Sequence, residues 1–127
     1  MKINVYTTGK QRMVKGSRVR QLVKKVLRTE GKNFTTVNVI LGDDHYLEQL
    51  NAMYFRKKVA TNVISFNLDD VAEIYVSQNR ARDAEELYYY IVHGLLHTIG
   101  YDHRNRRETM LMEAKCLGYI SDDTFYS

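Results

Sequence analysis

Residues 62–77, NVISFNLDDVAEIYVS, contain two runs of strand character, 62–66 and 73–77, joined through Asn67, Leu68, Asp69 and Asp70. β-Branched and aromatic residues fill both runs, and polar turn formers fill the joint. Working outward, residues 35–41 (TTVNVIL) are β-branched and read as a buried strand ended by Gly42. Asp43 or Asp44 can cap a helix between these strands, with Leu47, Leu50 and Tyr54 as its apolar stripe. From about Ser17, a candidate N-cap, Val19, Leu22, Val23, Val26 and Leu27 recur at helical spacing, and Gly31 is placed to stop that helix. Residues 2–8 alternate as a short strand. Downstream, a long helix is expected over about 81–99 and a last one over about 106–116. The order β-α-β-α-β-β-α-α, with no linker or repeat, indicates a single domain over residues 1–127, α/β or α+β, around a small mixed sheet.

Composition agrees with that size. A chain of 127 residues and 14.9 kDa makes one ordinary domain, which buries roughly two thirds of its unfolded surface. At 44% hydrophobic and 27% charged, it is unlike a disordered, collagen-like or repetitive chain. Its single cysteine, Cys116, cannot form an internal disulfide and fits a reducing cytoplasm. No apolar run approaches the roughly 20 residues of a membrane span, and the start, MKINVYTTGK, has no signal-peptide core. A soluble cytoplasmic protein without membrane partners is the expectation.

The net charge of +4 is unevenly spread. Between residues 10 and 32 stand nine basic side chains (Lys10, Arg12, Lys15, Arg18, Arg20, Lys24, Lys25, Arg28, Lys32) against Glu30 alone, a net of +8. The remainder holds ten basic and fourteen acidic residues, a net of −4. Such asymmetry suits a polyanion-binding surface, and it equally suits a solvated amphipathic helix.

Three of the four histidines fall within His93-Gly94-Leu95-Leu96-His97-Thr98-Ile99-Gly100-Tyr101-Asp102-His103. On a helix, His93 and His97 stack one turn apart on one face, so both imidazoles reach one ion. With Tyr88, Val92, Leu95 and Ile99 as the core stripe, the histidines point away from the core, near Glu86, Tyr89 and Tyr90. Gly100 can take a left-handed conformation that ends the helix and returns the chain, bringing His103 to the same ion. Three neutral imidazoles leave a fourth position open, as in catalytic zinc sites, so one zinc ion per chain is expected. Nickel, copper and iron accept the same ligands.

The spacing follows the metalloprotease pattern HExxHxxGxxH except that Gly94 replaces the general-base glutamate. Ordinary peptide hydrolysis is therefore disfavoured. Either metal-bound hydroxide acts directly or another side chain supplies the base. Asp102, beside the third ligand, can orient a histidine or act on water, and it equally suits the turn at the helix exit.

HGLLHTIGYDH resembles the signature of the YbeY family, bacterial metal-dependent endoribonucleases of ribosomal RNA maturation and ribosome quality control. Leu50-Asn51-Ala52-Met53-Tyr54 followed by Thr61-Asn62-Val63-Ile64-Ser65-Phe66 is similar to the family's LNxxYR...PT(D/N)VLSF block. Glu73-Ile74-Tyr75-Val76-Ser77 resembles its GDIxIS strand, and Met112-Glu113 with Leu117-Gly118-Tyr119 its last helix. The resemblance implies an α+β fold with a mixed four-stranded sheet and about four helices, zinc on His93, His97 and His103, and single-stranded RNA as substrate. Three positions depart from the pattern. Phe55 stands at the family's arginine with Arg56 one residue later, Ala60 replaces the proline, and Ala72-Glu73 replaces Gly-Asp.

These readings converge on phosphodiester cleavage in single-stranded RNA, on ribosomal RNA and ribosomal particles. Arg56 would take the phosphate-binding role, with Lys57 and Lys58 as substitutes, and Thr61, Asn62 and Ser65 would line the cleft. Tyr89, Tyr90 and Tyr101 are candidate stacking surfaces, and the basic first helix would track phosphates. A ribosome assembly factor with a structural zinc site is an alternative favoured by Phe55. A zinc peptidase or amidohydrolase is another, disfavoured by Gly94.

Overall fold

The first crossover sets the layers. Strand β1 (Lys2–Thr7) leads through helix α1 (Gly16–Glu30) to β2 (Thr36–Gly42), which pairs parallel with β1, Ile3 opposite Val37 and Val5 opposite Val39. Parallel neighbours need such a crossover, and α1 covers the sheet face it crosses. The computed structural model describes residues 1–8, 14–55 and 62–121. Val19, Leu22, Val23, Val26 and Leu27 of α1 are all buried, as their spacing predicts. Gly31 ends the helix at φ 66°, with its N–H bonded to the Arg28 carbonyl and that of Lys32 to the Leu27 carbonyl. This is the paired-bond Schellman ending, and its left-handed residue favours glycine. The start differs from expectation. The N-cap is Lys15, whose side chain caps nothing, and Ser17 already lies inside the helix.

Helix α2 (Asp44–Phe55) is capped by Asp43, whose carboxylate accepts from the Tyr46 N–H at 2.7 Å. Asp44 instead accepts from the Ser77 hydroxyl at 2.6 Å and from Arg80, tying α2 to the end of β4 (Val71–Ser77). Of the expected α2 stripe, Leu47 is fully buried, but Tyr54 is 59% exposed, its ring edge-on to Phe66.

The sheet order is β1-β2-β4-β3, with β4 parallel to β2 and β3 (Val63–Leu68) antiparallel at the edge. β4 begins two residues before the expected Glu73. Asp69 takes φ 65°, a conformation Asp tolerates, and its N–H bonds the Asn67 side chain, so the chain reverses within two residues. Helix α3 (Ala84–Thr98) starts later than expected because Asp83 caps it, accepting from Glu86 N–H. Helix α4 (Arg106–Ile120), capped by Asn105, runs past the expected end at Cys116 and buries Tyr119 and Ile120.

The main core lies between one sheet face (Val37, Val39, Leu41, Ala72, Ile74, Val76) and helices α1, α3 and α4. Helix α2 lies against the opposite face, where Tyr46 stacks on Tyr75 and Tyr54 meets Phe66. The architecture is the α+β fold expected: one mixed four-stranded sheet and four helices. No helix among the described residues is long and apolar enough to cross a membrane.

Helix α3 rests on the sheet at Gly94. A Cβ there would come within 2.7 Å of the γ2 methyls of both Ile74 and Val63. Both neighbours are β-branched and stiff at χ1, so neither yields cheaply. Gly118, in α4, has nothing within 4 Å of the same position. Helix propensity alone favours Ala over Gly by about 1 kcal/mol, whereas overpacking costs about 1–3 kcal/mol. Urea unfolding should therefore show Gly118→Ala unchanged or stabilised by up to about 1 kcal/mol and Gly94→Ala destabilised by about 1–2 kcal/mol. A stabilised Gly94→Ala protein would mean that the contact is not tight.

Candidate metal centre

The end of α3 builds the site. Gly100 adopts φ 111°, and its N–H bonds the His97 carbonyl while that of Tyr101 bonds the Leu96 carbonyl. This is the same paired-bond ending as in α1, again built on a glycine. The neighbouring Thr98 carbonyl accepts from the Asn67 side chain at 2.7 Å, which pins the helix end to the β3–β4 turn. The chain thus doubles back. Tyr101 offers its main-chain carbonyl to His97 Nδ1 at 2.9 Å, and His103 arrives beside the helix.

Ring centroids lie 4.7 Å apart for His93 and His97, 5.0 Å for His97 and His103, and 5.9 Å for His93 and His103. One nitrogen from each ring falls within 4.8 Å of the others. A tetrahedral zinc ion with bonds of about 2.0–2.1 Å asks for ligand nitrogens about 3.3 Å apart. The Nε2 atoms of His93 and His97 are already 3.1 Å apart. His97 donates from Nδ1 to the Tyr101 carbonyl, which leaves its Nε2 lone pair free for an ion. Burial, reinforced by His97 and His103, pushes the His93 pKa down to about 4, so this ring is neutral at physiological pH. Burial also holds His97 below the usual imidazole range. His93 Nδ1 is buried without a hydrogen-bond partner among the described residues. The donor set fits a metal ion: three converging imidazoles, two half-buried and His103 exposed.

A cleft of about 280 Å³ opens over the histidines, lined also by Asn62, Val63, Ser65, Tyr89 and Tyr90. Asn62, just before β3, and Ser65, within it, thus line the same cleft as the histidines. Tyr89 lies parallel to the His93 ring, with centroids 6.4 Å apart. Tyr101 does not join them: its hydroxyl bonds Glu30 at 2.6 Å, on α1. Asp102 is exposed, and its carboxylate accepts from the His103 backbone N–H at 2.8 Å, with His103 Nδ1 at 3.6 Å. That N–H, above all, holds the Asp102 pKa below its ordinary value. Arg56 and Thr61, together with Lys57 and Lys58, lie outside the described residues. Cys116 is buried in α4, and burial pushes its thiol up to about 12, so it is unreactive.

Two features escape sequence reasoning. The acceptor that orients His97 is a backbone carbonyl, which no residue type announces. Val63, legible only as a strand residue, both walls the cleft and meets Gly94.

The chain is similar to known proteins over nearly its whole length. The family model described as Endoribonuclease YbeY matches residues 4–121. An Endoribonuclease YbeY of Petrotoga mobilis is 33% identical over 140 residues, covering 99% of this chain and 94% of that protein. One from Syntrophus aciditrophicus is 34% identical over 118 residues, covering 76% of this chain and 74% of that protein. The solution structure of a Thermotoga maritima protein superposes with a TM-score of 0.60 at 27% identity, covering 93% of this chain and 88% of that one.

Proposed function

The chain belongs to the YbeY endoribonuclease family, and we propose that it is a zinc-dependent endoribonuclease of single-stranded RNA, acting in the cytoplasm on ribosomal RNA during ribosome maturation and quality control. The observation that carries this reading is the convergence of His93, His97 and His103 under an open cleft. Held by His93, His97 and His103, zinc would supply Lewis-acid chemistry for phosphodiester hydrolysis. The chain's own residues do the rest. Asn62 and Ser65 offer amide and hydroxyl groups to the RNA backbone, and Tyr89 and Tyr90 offer ring surface to a base. Asp102 steadies the His103 segment through its backbone N–H. From the sequence alone, Arg56 is assigned the role of the family's phosphate-binding arginine and Thr61, the residue before Asn62, a further contact to the RNA backbone.

Helix α1 supplies the longer-range hold. Arg20, Lys24 and Arg28 are exposed and spaced four residues apart, so they form one row along the helix. Such a row attracts a polyanion through counterion release, which salt opposes.

The direct test incubates zinc-loaded protein with unstructured RNA, folded RNA and a peptide library. Unstructured RNA should be cut in preference to folded RNA, and the peptides left intact. His97→Ala should lose stoichiometric zinc by elemental analysis and at least about a hundredfold in cleavage rate. Equal cleavage by His97→Ala would assign the activity to a contaminant and end the nuclease proposal. Bound zinc without cleavage, but with co-sedimentation on ribosomal particles, would favour an assembly factor instead, and peptide cleavage would overturn the reasoning from Gly94. In a second measurement, each phosphate contact contributes about 0.7 to the slope of log affinity against log salt for single strands. Replacing Arg20, Lys24 and Arg28 together by Gln should lower that slope by about 2. An unchanged slope would remove α1 from the binding surface.

A further inference from the structure

Glu30 is the lone acid of the basic stretch and sits at the last position of α1. Its side chain is only 9% exposed. One carboxylate oxygen accepts from the Tyr101 hydroxyl at 2.6 Å, and the other accepts from the Tyr119 hydroxyl and from Lys115 Nζ at 3.0 Å. Lys115 Nζ also lies 5.4 Å from the centre of the Tyr101 ring. One carboxylate thus joins the end of α1, the segment leaving α3, and α4.

Tyr101 faces two ways. Its hydroxyl goes to Glu30, while its main-chain carbonyl accepts the His97 Nδ1 proton. We propose that Glu30 is a positioning residue for the metal centre: by clamping the Tyr101 side chain it fixes the carbonyl that orients the His97 ring and the path that returns the chain to His103. Release of the hydroxyl unties the Tyr101 side chain from α1, which loosens the carbonyl that fixes the tautomer and direction of the His97 ring. Hydrogen-bond partners behind a metal-bound histidine are worth roughly 10–100-fold in metal affinity. The inference rests on the reading that the three histidines hold a metal.

Tyr101→Phe and Tyr119→Phe separate positioning from mere stability. Each removes one hydroxyl from the same carboxylate, but only Tyr101 carries the acceptor of His97. Zinc affinity, measured by competition with a chromophoric chelator where every protein is folded, should fall about tenfold or more in Tyr101→Phe and stay within about twofold of wild type in Tyr119→Phe. Glu30→Ala should follow Tyr101→Phe, and if Glu30→Ala fails to fold, the tyrosine pair carries the test. In metal-free protein, long-range proton–nitrogen NMR should show less of the Nδ1–H tautomer at His97 in Tyr101→Phe than in wild type. Unchanged affinity and tautomer in Tyr101→Phe, or an equal loss in Tyr119→Phe, would overturn the positioning role while leaving the metal site intact. Failure of the wild-type protein to bind zinc would remove the metal reading itself and the inference with it.

Discussion

Helix α3 lies as low on the sheet as it does because residue 94 has no side chain. The space a Cβ would fill is already taken by methyls of Ile74, from the middle of the sheet, and Val63, from its edge. One glycine therefore seats the helix across two strands. His93 and His97 flank that contact, so the depth of the seat decides how far their rings stand above the edge strand with Ser65 and above Asn62 just before it. The same contact accounts for the departure from the metalloprotease pattern. A glutamate at position 94 would begin its side chain inside the volume of two stiff, β-branched neighbours. The missing general base is thus built into the packing of the fold.

Two helix ends share one design. Helices α1 and α3 both close with the paired 5→2 and 6→1 bonds around a glycine at positive φ, and the residues flanking those glycines, Glu30 and Tyr101, are bonded to each other. An acid at the end of a helix stands at the negative pole of the helix dipole, an unfavourable place. Burial also pushes its pKa up, yet the bonds from Tyr101, Tyr119 and Lys115 outweigh that and hold Glu30 below the usual carboxylate range. Three donors from two other elements thus stabilise the charged form where local electrostatics alone opposes it.

How legible each feature is in the sequence depends on how local its cause is. The buried stripe of α1 and the stop at Gly31 follow from side-chain periodicity and backbone freedom, which neighbouring residues reveal. The i,i+4 pair His93 and His97 and the return at Gly100 are of the same kind. Boundaries set by a side chain reaching the backbone were harder to place. Asp83 sets the start of α3 and Asn67 the turn before β4, and periodicity does not single either out from the polar residues around it. Contacts across the fold left only a trace. Glu30 stood out as a lone acid among nine basic residues, but its partners lie 71, 85 and 89 positions away. Tyr54 shows the converse, since helical spacing places it in the apolar stripe while α2 covers only part of its sheet face and leaves it exposed.

The ligand set bears on the class of substrate as well. Carboxylate ligands would cancel part of a divalent cation's charge, whereas three neutral imidazoles cancel none of it. Burial of His93 and His97 disfavours imidazolium in both. Asp102, beside His103, accepts from the His103 backbone N–H, lies 3.9 Å from Arg104 and is exposed, so it is screened by solvent. An ion held there would retain nearly its full charge at the floor of an open cleft, and because the metalloprotease pattern has the same three imidazoles, the difference in substrate preference lies at position 94. In the metalloprotease pattern a glutamate stands beside the first histidine and would meet a phosphate with like charge. Gly94 removes that repulsion together with the base, so the packing constraint that seats α3 also favours a negatively charged substrate.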